Sequence, residues 1–323
     1  MEKINLKHLA KLLPIIGIII FIYIIYNIGI SKILNAFTQI PIQYYLLALL
    51  VLMPRFLLFA YGWYYLCKKS KMEPGYFYLL KTYLIGLYYG NIVPGGIGGN
   101  VRIFYLKNKT NASFEKCLTN SVLDFSLLFI SGLFLSLIGS IYLFDKAPEL
   151  FPFILFFFCL STAVFVILMK KRIGSKIFKF FIKNVIPKKF KDKMGKSVDA
   201  LYEDIPRYRD LLVPFLVNVL IRIISGTGVF IIAQAFSIPV PYIDFIFINI
   251  ISIVVIGILP ISIGGIGLRE GIYVLLLASY GVEPHIAFAI SFSGYLVKML
   301  IPSFIGLFLS LKKEFRLDKV IFE

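Results

Sequence analysis

Ten apolar runs, most of them separated by only a few polar residues, constrain this chain more than any other feature. They lie at about 12–29, 44–66, 76–93, 99–106, 117–144, 151–169, 211–236, 243–261, 267–280 and 286–311. The longer ones suffice to cross roughly 30 Å of hydrocarbon. Within a bilayer every backbone polar group must be satisfied inside the chain, which favours helices for runs of this length. Of the 323 residues, 59% are hydrophobic and 16% charged, against about 45–50% and about 25% in a soluble domain. The expected fold class is an all-α polytopic integral membrane protein.

Charge placement suggests how the runs are threaded. The net charge is +17, and residues 170–210 hold 13 Lys/Arg against 5 Asp/Glu. Basic residues collect on the cytoplasmic side and near anionic headgroups. No folded basic module for nucleic acid is visible, so none is expected as a partner. Lys3, Lys7 and Lys11 put the N-terminus inside, as an uncleaved first helix rather than a removed leader. Loop 30–43, with Lys32 alone, goes outside; loop 67–75, with Lys68, Lys69 and Lys71, stays inside. Lys107, Lys109 and Lys116 are inside, as are Lys312, Lys313, Arg316 and Lys319. Segment 76–106 then starts and ends in the cytoplasm, and 243–280 starts and ends outside. The short arm 99–106 rises only about 1.5 Å per residue and reaches part way, so each segment reads as a re-entrant hairpin.

The division that follows is a membrane half at 1–169 with hairpin 76–106, a basic cytoplasmic linker at 170–210, and a second half at 211–323 with hairpin 243–280. The linker reads either as an amphipathic helix on the inner leaflet, with apolar periodicity at 173–186, or as a solvated connection. Both termini are expected in the cytoplasm of a multi-pass protein of the cell membrane.

Each hairpin breaks at the same four letters. Gly95-Gly96-Ile97-Gly98 is followed by Asn100 and Arg102, and Gly264-Gly265-Ile266-Gly267 by Arg269 and Glu270. The copies are 169 residues apart, and two arginines inside otherwise apolar runs, Arg55 and Arg222, are 167 apart. Matching breaks in two oppositely oriented halves are the pattern of an inverted-repeat transporter, whose substrate site lies at the breaks. Pro94 and Pro260 reinforce the breaks. Asn100 is a plausible N-cap for a helix from Val101 to Lys107, and the second turn leads into a helix over 268–280.

Helix N-termini and clustered glycines offer free N–H groups to anions, and guanidinium pairs bidentately with phosphate. Membrane-depth charges should be paired or functional, at about 2.5–3.5 kcal/mol each at a helix centre. The candidates are Arg55, Arg102, Asp124, Arg222, Arg269, Glu270 and Lys298, with Gly95, Gly96, Gly98, Asn100, Gly264, Gly265 and Gly267. Asp124 and Glu270 read as compensating ion pairs, or Asp124 as a proton carrier. Isolated glycines such as Gly132 and Gly306 read as close helix packing. Cys67, Cys117 and Cys159 are scattered and His8 and His285 stand alone, so neither metal nor other cofactor is expected. No catalytic constellation is visible, and GGIGGNVR lacks the lysine of a phosphate loop.

Residues 91–102, NIVPGGIGGNVR, with Ser121-Val122-Leu123-Asp124, resemble the first signature of the lysylphosphatidylglycerol synthase transmembrane-region family. Residues 259–270, LPISIGGIGLRE, resemble its second. The resemblance covers nearly the whole chain. It implies a flippase-type domain that moves aminoacylated phosphatidylglycerol, or a stand-alone member linked to polyprenyl-phosphate lipids. The chain departs from the pattern with Asn100 where an acid is expected and Phe125 where an arginine often follows Asp124. It ends soon after the last run, so the soluble aminoacyl-transfer domain is expected to be absent and the chain not to be an enzyme. The expected function is translocation of a lipid with an anionic or aminoacylated headgroup between leaflets. The expected partners are membrane lipids, with room for an oligomer. Rival readings are a membrane-embedded enzyme acting on a lipid-linked sugar phosphate and a lipid-binding subunit of a larger complex.

Overall fold

The computed structural model describes residues 6–176, 201–259 and 262–315. Most of the basic linker, including much of the proposed amphipathic stretch, lies outside the described residues, as do Pro260 and the basic residues beyond Phe315. Among the described residues there is helix and no strand. The helices are α1 (Leu6–Ile28), α2 (Ile30–Thr38), α3 (Ile42–Lys69), α4 (Tyr76–Ile92), α5 (Arg102–Thr110), α6 (Phe114–Tyr142) and α7 (Leu150–Met169). Then follow α8 (Tyr208–Ala233), α9 (Tyr242–Ile258), α10 (Leu268–Ala278), α11 (Pro284–Tyr295) and α12 (Ile301–Ser310).

Five described helical stretches are long and apolar enough to span a membrane: α3, α6, α7, α8 with its short 3-10 extension, and α11–α12 together. The sixth candidate is the bent pair α1–α2. Here a loop expected over 30–43 proves to be partly helix. The chain turns by 86° between Ile28 and Ile30, at Gly29 with φ +91, a conformation that suits glycine. Ile33 and Ala36 are then buried while Lys32 and Leu34 are exposed. One buried face is enough to hold a short helix against its neighbours.

The connections gather at two ends. At one end Asp204 bonds Lys71 and Lys116, and Phe315 packs on Tyr78 and Tyr105. At the other, the Tyr280 hydroxyl donates to Asp244, Lys146 lies over the Tyr280 ring, and Leu143, Val240 and Val282 share one apolar cluster. The loops rich in lysine share the first end.

A tyrosine joins the two helices in each of the expected hairpins. The Tyr78 hydroxyl near the start of α4 donates to the Tyr105 carbonyl in α5. The Tyr273 hydroxyl in α10 donates to Asn249 in α9 at 2.8 Å. Helices α3 and α8 pack antiparallel: Leu52 lies against Gly228, Gly62 against Val217, and Lys69 against Asp210. That register brings Arg55 level with the turn that carries Arg222.

Candidate functional site

The two GGIG copies differ in backbone. In the second, Gly264, Gly265 and Gly267 have φ of +59, +78 and +83, which residues with a side chain rarely adopt. A Cβ on Gly267 would also lie 2.1 Å from the Gly17 carbonyl of α1, so α1 seals this turn. In the first copy Gly98 has no positive φ. Pro94–Val101 forms a 3-10 helix that runs directly into α5. Here glycine is required by close approach: a Cβ on Gly98 would lie 2.1 Å from the Tyr89 carbonyl, and Gly86 faces Gly99.

This corrects the expected role of Asn100. Helix α5 starts at Arg102 with Val101 before it and no side-chain cap, and Asn100 is exposed. Because the 3-10 turns continue the helical hydrogen-bonding, there is no free N-terminus at Asn100 for its amide to cap.

The arginines that follow the breaks have internal partners. Arg269 donates from Nε and Nη2 to Glu270 Oε1, at 3.0 and 2.7 Å, and from Nη1 to the Gly264 carbonyl. Glu270 Oε2 accepts the Gly267 N–H at 2.7 Å, and Glu270 is fully buried. The positive end of α10 is thus met by the chain's own carboxylate. The Arg269 guanidinium also lies 4.1 Å over the Tyr295 ring. Arg102 pairs with Asp124 at 2.8 Å and lies over Trp63, whose indole N–H donates to Asn120. Both membrane-depth carboxylates therefore compensate arginines.

The three remaining membrane-depth cations have no carboxylate partner among the described residues. Arg55, Arg222 and Lys298 are each at most 8% exposed. Arg55 Nη1 donates to the Lys298 carbonyl at 2.9 Å, and Arg222 Nη2 to the Leu128 carbonyl at 3.0 Å. The Nε groups of both arginines are buried without a partner. Lys298 Nζ donates to Asn249 Oδ1 at 3.0 Å, and Asn249 Nδ2 is also unpartnered. The charges of Arg55, Arg222 and Arg269 all act on Lys298.

Local sequence explains how these cations are held. Lys298 sits in a π turn, Leu296–Leu300. Pro302 has no N–H, so the Lys298 carbonyl four residues back loses its α-helical donor and accepts Arg55 instead. A Cβ on Gly132 would lie 2.9 Å from Arg222 Nη2. Gly132 thus opens space for a guanidinium and also packs closely as expected, since the same Cβ would lie 2.9 Å from Val254 Cγ2. Gly306 does pack closely, against the Leu84 carbonyl. The two carbonyls that accept Arg55 and Arg222, at 298 and 128, are 170 residues apart, close to the spacing of the arginines themselves.

Three features escaped the sequence reading. Tyr83 of α4 is buried, stacks on Phe59, and feels the charges of Arg55, Arg102, Asp124 and Arg222. Asn249, a neutral residue in a continuous apolar run, links Tyr273 and Lys298. An apolar groove of about 400 Å³ runs along α6 and α7, lined by Leu118, Val122, Phe125, Phe129, Val164 and Phe165 among others.

Outside the spans, Asp204 bridges Lys71 and Lys116. Hydrogen bonds from those two ammonium groups hold its carboxyl below the usual range. The Thr119 hydroxyl donates to the Leu201 carbonyl, so the end of the linker is fastened to α6. No group of three metal-ligating side chains occurs among the described residues.

The family model described as the lysylphosphatidylglycerol synthase transmembrane region matches residues 9–306. The chain belongs to that family. It is 22% identical to a UPF0104 membrane protein of Methanocaldococcus jannaschii, over 99% of both chains. It is 22% identical to a second UPF0104 membrane protein, from Methanothermobacter thermautotrophicus, over 93% of this chain and 94% of the relative. The membership fits the apolar helices: this is a multi-pass membrane protein.

Proposed function

We propose that the protein is a lipid translocator that passes a lipid with an anionic headgroup between leaflets, not an enzyme. The observation that carries this reading is the set of three buried cations, Arg55, Arg222 and Lys298, without an acidic partner among the described residues. A lone charge at a helix centre costs about 2.5–3.5 kcal/mol, and such residues are retained where they bind or conduct. An anion is the natural complement.

The packing supports an inverted repeat around that site. Helices α3 and α8 cross antiparallel at Arg55 and Arg222, and each arginine bonds a carbonyl of the other half. A pseudo-two-fold axis in the membrane plane relates helices in this way, and rocking of one half against the other then exposes the site alternately. On this reading the paired residues Arg102–Asp124 and Arg269–Glu270 shape the hairpins, and the cytoplasmic face is the end holding Asp204. The acyl chains stay in lipid, with the groove on α6 and α7 as their path.

Reconstitution into vesicles with headgroup-labelled lipids tests the reading. Labelled anionic lipid should cross in protein-containing vesicles. Crossing no faster than in protein-free vesicles, for every anionic lipid tried, would refute it.

A further inference from the structure

The charge balance of the site narrows the lipid beyond the proposed function, on which this inference rests. Lysylphosphatidylglycerol, the lipid in the family's description, carries one phosphodiester charge and two ammonium groups, a net positive headgroup. Among the described residues, neither carboxylate of the spans is free to meet those ammonium groups. Glu270 is closed by Arg269 and the Gly267 N–H, and Asp124 is paired with Arg102. Three buried cations remain without a carboxylate partner among the described residues, two of them with unpartnered Nε–H donors. Asn249 adds an unpartnered N–H donor beside Lys298. The unpartnered groups of Arg55, Arg222 and Asn249 are all N–H donors.

We propose that the ligand is a lipid phosphomonoester or diphosphate, with two or more negative charges on phosphate and no ammonium group. A phosphodiester such as phosphatidylglycerol offers one charge and two free oxygens, which leaves part of the donor set unmet. A terminal phosphate offers three oxygens and up to two charges. Arg55 belongs to the first half and Arg222 and Lys298 to the second, so a terminal phosphate bound among them would take donors from both halves. Bidentate guanidinium contacts suit such a group.

The test is binding of the full chain in detergent to four lipids with identical dioleoyl tails: diacylglycerol diphosphate, phosphatidic acid, phosphatidylglycerol and lysylphosphatidylglycerol. The expected affinity falls in that order, with at least tenfold between phosphatidic acid and lysylphosphatidylglycerol. Arg222→Gln and Lys298→Gln, each checked for monodisperse elution, should each compress that spread. Lysylphosphatidylglycerol binding as tightly as phosphatidic acid, or binding of none of the four, overturns the proposal. Because the ranking in the unmodified chain is read without transport, it stands or falls separately from the vesicle assay. A protein that translocates phosphatidylglycerol and lysylphosphatidylglycerol but shows no phosphomonoester preference keeps the function and overturns the lipid class.

Discussion

Glu270→Gln separates a structural carboxylate from a transporting one. Glu270 is fully buried; one oxygen receives two hydrogen bonds from Arg269 and the other receives the Gly267 N–H. Glutamine keeps one acceptor and replaces the other with an N–H₂ that faces a donor. Breaking a buried pair by removing one partner costs about 3–5 kcal/mol, since the other charge is left uncompensated. Arg269 keeps its contact with Tyr295 and one bond to the Gly264 carbonyl, which places the expected loss near the lower end, about 3 kcal/mol. At about 2–4 °C per kcal/mol for chains of a few hundred residues, the melting temperature falls by roughly 6–12 °C. Fluorescence-detected size exclusion after heating measures it in detergent. The double variant Arg269→Met with Glu270→Leu removes both charges and should recover at least half of the loss. If Glu270→Gln melts within 2 °C of the unmodified protein yet abolishes transport, the carboxylate acts on substrate or proton and the structural argument fails.

The uncompensated cations should behave in the opposite way. Arg222→Met removes a buried charge worth about 2.5–3.5 kcal/mol and loses one hydrogen bond worth about 1 kcal/mol. The melting temperature should rise by a few degrees while lipid translocation is lost, and a fall in stability counts against an unpaired cation. Gly132→Ala should displace the Arg222 guanidinium and reduce transport with little change in yield; unchanged transport refutes that role for the glycine. Gly267→Ala meets both a φ of +83 and the Gly17 carbonyl, so no monodisperse protein is expected after extraction. The Asp204 carboxyl has its pKa lowered in the folded chain. Its contribution is therefore present above the ordinary carboxylate pKa, about 3.9, and is lost only as pH falls through the lower folded value. Limited proteolysis near residue 201 should be unchanged from pH 8 to pH 5 and increase in Asp204→Ala at every pH.

Most of the helices were legible because a bilayer turns composition directly into length: every apolar run of about 20 residues is a helix within a few positions. The bend at Gly29 was not, since Ile30–Thr38 is polar enough to read as a loop and only its buried face shows a helix. The arginines at 55 and 222 stood out because charge is rare in such runs. Which cations are free was hidden. Glu270 adjoins Arg269 in sequence, but Asp124 reaches Arg102 across 22 residues and only packing joins them. The repeated letters GGIG also concealed two physical reasons for glycine, positive φ in one copy and backbone contact in the other. Tyr83 and Asn249 carry no signal in a single sequence, because a neutral polar residue among apolar ones gains meaning only from its neighbours.

The antiparallel crossing of α3 and α8 bears on direction. On the proposed mechanism a two-fold axis between Arg55 and Arg222 presents one arginine from each half to either leaflet, whereas Lys298 answers to Leu128 in the other half and has no matching cation. A membrane potential supplies a bias from outside the fold. Moving one elementary charge across 100 mV is worth about 2.3 kcal/mol, so a doubly negative headgroup feels about twice that, enough to drive it toward the positive face. The same three cations that recognise the lipid would then leave its net flow to the voltage and to whatever consumes it on arrival.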